Sequence, residues 1–360
     1  MSEIRSGGSN GDARLLPAGV REVLAAYRLG SVLRVGDGGG TAGKTWRIEA
    51  ESGAYFLRRR GARTSSEAHL RFDHGLRDHL LACGVPTAAA LRAADGSRWQ
   101  RCADGVYELY PWVAGAAFDP GRVAQIAAAG RALARYHRAA AQYSAEQRPA
   151  RIAQYTALGI SAATSSRMDD PALLAATLRA VARLAPDAAG RALVDRCLAR
   201  VERLQAEYAG EAYEALAGWV IHGDYTPANV LFGADDQVAG IFDLDWAVPG
   251  ARCRDVADGM YFFGAAPRPI DAGSIWSLTD AAVFDGERCR TFLAAYSQEC
   301  ALTRRELLAI PMAFAGRWLS IRAEGMAKVA PAARFQFFSR DLEAPMAWLD
   351  AHWETLRRSL

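Results

Sequence analysis

The chain of 360 residues lacks an excess of charge of either sign: 43 Lys and Arg stand against 40 Asp and Glu, a net charge of +3. So close a balance excludes the strong pull toward nucleic acid or an anionic membrane that a basic chain would exert. Paired cysteines are lacking too. The six, at 83, 102, 197, 253, 289 and 300, make no C-x-x-C pair and no metal-finger spacing, and read as reduced thiols of a cytoplasmic protein. No apolar run reaches membrane length, and the polar opening MSEIRSGGSNGDAR has no signal-peptide core. No repeat or low-complexity block appears beyond alanine richness. What remains is a chain longer than one core usually supports, so two domains are expected after a flexible Gly- and Ser-rich tail over 1–14.

What is present is concentrated in one stretch, 219–262. An apolar run, Trp219-Val220-Ile221, leads into a polar elbow, His222-Gly223-Asp224-Tyr225-Thr226-Pro227-Ala228-Asn229. Two short strands follow, 230–232 and 238–242, joined by a loop rich in Gly and Asp, the pattern of a hairpin. That hairpin is expected to return Asp243 toward Asp224 and Asn229, with no Lys or Arg close in sequence to neutralise the carboxylates. Such an oxygen cluster suits Mg2+, which takes one or two carboxylates plus substrate phosphates. Kinase-type transfer needs an Asp that accepts the hydroxyl proton, an Asn on the metal five positions on, and a further Asp on the metal; Asp224, Asn229 and Asp243 have that spacing.

His222-Gly223-Asp224 with Asn229, then Phe242-Asp243-Leu244-Asp245-Trp246-Ala247, then Arg254-Asp255-Val256-Ala257, stand in the order and at the intervals of a known signature. On these motifs the sequence resembles the aminoglycoside phosphotransferase and choline kinase family, which includes kinase-like homoserine kinases. The resemblance implies an α+β, protein-kinase-like fold of two lobes: an N-terminal antiparallel-sheet lobe over 15–110, a hinge over 111–116 and a mainly helical lobe over 117–360. It implies ATP between the lobes, Asp224 as the catalytic residue, and Asn229 and Asp243 on Mg2+. Asp255 and His222 would support the catalytic loop, and His137, closing a Leu-x-x-x-His turn, would be structural. Asp245 is either a second metal ligand or a bracing carboxylate.

The run Gly36-Asp37-Gly38-Gly39-Gly40-Thr41-Ala42-Gly43-Lys44-Thr45 matches the P-loop pattern G-x-x-x-x-G-K-[ST] at Gly38, Gly43, Lys44 and Thr45. That pattern cradles phosphate only where a helix follows. Here Trp46, Ile48 and Ala50 alternate with Arg47, Glu49 and Glu51, a Ser52-Gly53 turn comes next, and a second strand runs over 54–58. The context predicts a glycine-rich flap over ATP phosphates, with Gly39, Gly40, Lys44 and Thr45 as candidate contacts. Arg58 ends the second strand where a protein kinase carries its lysine, and its forked donors suit the α- and β-phosphates. Its partner acid is expected from the helix over 65–83 and is either Glu67 or Asp73. Tyr110 and Trp112, at the hinge, either flank the adenine or pack as core.

Further strands are expected at 31–35, 88–92, 99–101 and 106–110. Further helices are expected at 17–27, 122–141, 173–184, 188–208, 254–260, 286–299, 304–328 and 340–356. Residues 143–171 read as an insertion over the acceptor pocket, with Arg290, Arg317 and Arg322 as candidates to line it. From 267 onward acidic and basic residues are close to balance, which favours a neutral or zwitterionic acceptor over a polycation. The expected activity is ATP- and Mg-dependent transfer to a hydroxyl of a small molecule: an antibiotic or natural product, an amino alcohol or a hydroxy amino acid. A P-loop NTPase built on Gly38 to Thr45 and a non-catalytic nucleotide-binding protein are the alternatives. Oligomeric state is not legible.

Overall fold

The computed structural model describes residues 18–39, 44–143, 154–155, 158–161, 170–208, 215–216, 218–267, 274–280, 282–358 and 360. The chain divides into two units, Met1–Gly115 with Ala239–Asp245, and Ala116–Val238 with Trp246–Leu360. The first holds α1 (Ala18–Ala25), β1 (Val32–Asp37), β2 (Lys44–Ala50), β3 (Gly53–Arg59), α2 (Glu67–Ala82), β4 (Gln100–Cys102) and β5 (Gly105–Pro111). Its strands make one antiparallel sheet in the order β1-β2-β3-β5-β4.

The period-two alternation after the glycine run becomes β2, paired with β3 from Lys44↔Arg59 to Ala50↔Gly53. Ile48 and Leu57 are buried in a core with Val20, Val23 and Leu24 of α1. Alternation then turns Phe56 and Arg58 to the opposite face, where Phe56 packs on Ala88, Ala90 and Tyr110. Helix α2 starts at Ser66, whose side chain caps the His69 amide, and buries Leu70, Phe72, Leu76 and Leu80. The strand expected at 88–92 does not form. This segment makes one ladder-like bond, Leu91 amide to Leu109 carbonyl at 2.7 Å. Ala88 and Ala90 are buried by packing with Tyr110 and Phe56, not by strand pairing.

From 116 onward the chain adds α3 (Val123–Ala140), β6 (Gln154–Tyr155), β7 (Ile160–Ser161), α4 (Pro171–Ala182), α5 (Ala188–Tyr208), β8 (Trp219–Ile221), β9 (Val230–Phe232), β10 (Val238–Ile241) and β11 (Val248–Gly250). It ends in α6 (Arg252–Phe263), α7 (Gly286–Glu299), α8 (Arg304–Gly325), α9 (Arg334–Ser339) and α10 (Ala344–Arg358). Helix α3 lies so close to α7 that a Cβ on Gly130 would meet the Phe292 carbonyl oxygen at 2.4 Å. Helix α8 opens with a capping box between Thr303 and Glu306. The helix expected at 340–356 begins instead at Ala344, because the chain is extended at Arg340, after α9 has ended at Ser339. Strand β8 pairs with β11, Ile221 opposite Val248, which fixes where the elbow after Ile221 starts. The expected tail over 1–14 and most of 143–171 lie outside the described residues. Among the described residues no helix is long and apolar enough to cross a membrane.

Candidate active site

The elbow 222–229 belongs to the second unit, and a buried carboxylate shapes it. Asp255, in the first turn of α6, accepts from the His222 amide at 2.6 Å and the Gly223 amide at 2.8 Å. Its Oδ2 also lies 3.0 Å from His137 Nε2, and His137 Nδ1 lies 2.8 Å from the Tyr296 hydroxyl. Burial would raise the Asp255 carboxyl, but His137 and the loop amides hold it below the usual range. Gly223 has φ +78°, and a Cβ there would meet the Trp246 carbonyl oxygen at 2.3 Å, so glycine is required.

Asp224 follows on this elbow, its side chain 28% exposed. Asn229 Nδ2 donates to Asp224 Oδ2 at 3.1 Å and to the Asp224 carbonyl at 2.9 Å. Arg317, from α8, holds the other oxygen: Nη1 lies 3.3 Å from Asp224 Oδ1, and Nη2 donates to the Gly223 carbonyl at 3.2 Å. The same guanidinium grips Asp258 of α6, with Nε 2.6 Å from Oδ1 and Nη2 on Oδ2. Burial pushes the Asp258 carboxyl up to about 6 in spite of Arg317. A cation therefore does neutralise Asp224, against the expectation from sequence; it arrives from 93 positions away.

In the first unit Arg58 stands directly across from Glu108 in the β3–β5 register. It reaches Asp245 Oδ2 at 2.6 Å, Glu108 Oε2 at 3.4 Å and Asp243 Oδ1 at 3.7 Å. Neither expected partner acid is used. Glu67 is exposed and pairs with Arg71 one turn along α2, while buried Asp73 pairs with Arg60 at 2.6 Å and Arg77 at 3.1 Å. Arg60 also reaches Glu108 at 2.9 Å and Asp245 at 2.8 Å. Burial would raise the Glu108 carboxyl; His74, Arg60 and Arg58 bring it down to about 2. Asp245 is gripped by Arg58, Arg60 and the Thr64 hydroxyl. Asp243 differs: its side chain is 36% exposed, and its φ of +56° is a left-handed conformation that a non-glycine residue adopts at a cost.

The remaining expected contacts divide. Tyr110 is core, buried with Ala88 and Ala90 and capped by Arg77, whereas Trp112 is 37% exposed beneath the Arg47 guanidinium. Thr45 donates its hydroxyl to the Gly39 carbonyl, and the Gly39 amide donates to Asp37 at 2.9 Å. Gly40 and Gly43, with the Lys44 side chain, lie outside the described residues; Lys44 begins a strand, not a helix, so the P-loop context is absent. Arg322 is buried over the Trp318 ring and donates to the Thr279 and Arg340 carbonyls, and Arg290 pairs with Glu287 on the surface, so neither joins Arg317 at Asp224. Asp258, Glu108 and Arg60 escaped the sequence reading; only strand register could have pointed to Glu108.

A family model described as phosphotransferase enzyme family matches residues 35–292. A homoserine kinase of Nitrobacter winogradskyi is 26% identical over 292 residues, 81% of this chain and 78% of that protein. Among solved structures, an aminoglycoside phosphotransferase from Alicyclobacillus acidocaldarius superposes with a TM-score of 0.65 at 17% identity, covering 97% of this chain and 98% of that one. An amicoumacin kinase in complex with AMP-PNP, Ca2+ and Ami gives 0.64 at 15%, covering 93% and 94%. The likeness to these structures is one of fold, α+β and protein-kinase-like.

Proposed function

Because the chain belongs to the phosphotransferase enzyme family, we propose that it transfers the γ-phosphate of ATP to the hydroxyl of a small amino-acid-like or amino-alcohol acceptor, with Mg2+. The observation that carries this reading is the pinned elbow: Asp255 fixes the backbone before Asp224, and Asn229 and Arg317 each take one of its carboxylate oxygens. A carboxylate so held has little freedom to turn, and its task is to orient the acceptor hydroxyl for in-line attack. The transition state of phosphoryl transfer is loose, so positioning and charge neutralisation matter more than base strength.

Asn229 and Asp243 are the residues assigned to the cation. Their chemistry fits: one amide oxygen and one carboxylate are what Mg2+ accepts when phosphates fill other positions. Bound there, the ion would neutralise charge on the phosphates. Arg58 is assigned to the α- and β-phosphates. The homoserine kinase relative and the near balance of charge past 267 both favour an acceptor that is zwitterionic over a polycation. The thiols favour a cytoplasmic setting.

The test is ATP consumption with Mg2+ over homoserine, choline, aminoglycosides and macrolides, for wild type and Asp224→Ala. Acceptor-dependent turnover, strongest with homoserine or an amino alcohol and lost in the variant while ATP still binds, is expected. Hydrolysis that ignores the acceptor, survives in Asp224→Ala and disappears in Lys44→Ala would restore the P-loop alternative.

A further inference from the structure

Away from Asp224 and Arg58, the first unit carries a cavity of about 400 Å3 between one face of α2 and the turn over 92–99. Arg71, His74 and Asp78 recur at the spacing of one helical face, and Arg92, Arg98 and Trp99 close the other side. Of its three arginines, Arg71 is paired with Glu67 and Arg98 with Asp78, while Arg92 has no carboxylate partner among the described residues, so the lining carries a modest excess of positive charge. Arg98 spends one nitrogen on Asp78 at 2.7 Å, and among the described residues Arg92 donates only to the Gly96 carbonyl, at 2.9 Å.

The decisive group is His74. It is 3% exposed, stacked on Trp99 with ring centroids 5.4 Å apart, and neither ring nitrogen has a hydrogen-bond partner of good geometry among the described residues. A buried polar atom left without a partner costs stability unless something supplies one. On the opposite side of the ring, Nε2 lies 3.0 Å from Glu108 Oε1, and Glu108 is the carboxylate that contacts both Arg58 and Arg60. The ring therefore joins the cavity to the arginine cluster.

We propose that this cavity is a second anion site that takes a small phosphate monoester, a P–OH donating to His74 Nδ1 while Nε2–H faces Glu108, and the other oxygens on Arg92 and the nitrogens of Arg98 that Asp78 leaves unused, and that its occupancy is felt at Arg58 through Glu108. Guanidinium forks match phosphate oxygens in pairs, and the cavity has room for a small organic group beyond them. The ligand is either the product of the reaction or another phosphorylated metabolite. Binding does not depend on the kinase reading; only the effect on Arg58 rests on it.

The experiment follows the side-chain nitrogens of His74 by NMR in the full chain while inorganic phosphate, O-phosphoserine or serine is added, in wild type, Arg92→Glu and Arg58→Met. Phosphate and O-phosphoserine should move the His74 resonances saturably, and serine should not. Arg92→Glu, a surface change remote from the catalytic groups, should weaken binding by about tenfold or more, the loss of one charge-assisted hydrogen bond. Arg58→Met should leave binding intact while abolishing any effect of phosphate on ATP affinity. Still resonances in wild type would overturn the proposal, as would equal binding in Arg92→Glu, or binding lost in Arg58→Met. If His74 responds but no acceptor is ever phosphorylated, the site stands and the kinase reading falls. O-phosphoserine binding well above inorganic phosphate points to an organic ester as the natural ligand; the reverse order overturns the monoester assignment.

Discussion

Each unit buries arginine against carboxylate, but in different ratios. In the first, Arg58, Arg60 and Arg77 interleave with Asp73, Glu108 and Asp245, and each of these carboxylates touches two guanidiniums. In the second, Arg317 reaches both Asp258 and Asp224. The outcome is opposite in sign: Glu108 is brought down to about 2, whereas Asp258 is pushed up to about 6. Burial acts on both in the same direction; at Glu108 the His74 hydrogen bond together with Arg60 and Arg58 overcomes it, and at Asp258 Arg317 and Arg254 do not. A dense network holds charge; a sparse one leaves a carboxylate near its ionisation point.

The sharpest way to break this contrast is Arg60→Met. It leaves Asp73, Glu108 and Asp245 short of a shared partner, and a loss of about 3–5 kcal/mol is expected, read from the urea midpoint. A loss below ~1 kcal/mol would mean that the network is redundant. Next comes Arg317→Lys, which keeps the charge but loses the fork that spans Asp258, Asp224 and the Gly223 carbonyl. Its kcat should fall about a hundredfold while KM for ATP holds, as misplacement of a reacting group predicts. An unchanged kcat would remove Arg317 from the catalytic arrangement.

Acid should separate the two units. The folded value for Glu108 lies below its unfolded value of about 4.5, so its contribution to stability is present above that pH and lost as pH falls toward about 2. The folded value for Asp258 lies above its unfolded value of about 4, so its contribution is present in acid and lost as pH rises through about 6. Glu108→Gln should therefore flatten the acid limb of the stability profile and Asp258→Asn the limb from pH 4 to 6, each by on the order of 2 kcal/mol. Parallel profiles for the two variants would refute the assigned directions. The smallest effect belongs to Glu67→Ala, which removes only the exposed pair with Arg71 and should cost about 0.5 kcal/mol or less in the same denaturant measurement.

How much of this was legible depends on the distance over which a residue is read. The hairpin of β2 and β3, the capped start of α2, and the elbow with its glycine follow from neighbours a few positions apart, where periodicity and turn chemistry act. The run at 88–92 misled because Ala88 to Leu91 is a continuous apolar run of strand length, yet its segment finds one backbone partner on β5. Arg58 was read on the correct strand face but with the wrong acid. The usual helix–strand pairing pointed to α2, whereas Glu108 lies across the sheet and Asp245 comes from a segment 187 positions on. Asp258 and Arg317 are separated by 59 positions on two helices, and no local pattern announces such a pair.

The contact between Arg317 and Asp224 also imposes an order in time. A ribosome delivers the elbow 93 residues before it delivers the guanidinium that steadies it, and domains assemble as their chain emerges. During that interval the elbow can close on Asp255 and His137, both already made or soon to follow, but Asp224 must wait for α8. The nascent protein therefore acquires the backbone of the elbow first and its electrostatic finish later, so that Asp224 gains its guanidinium partner only when the second unit is nearly complete.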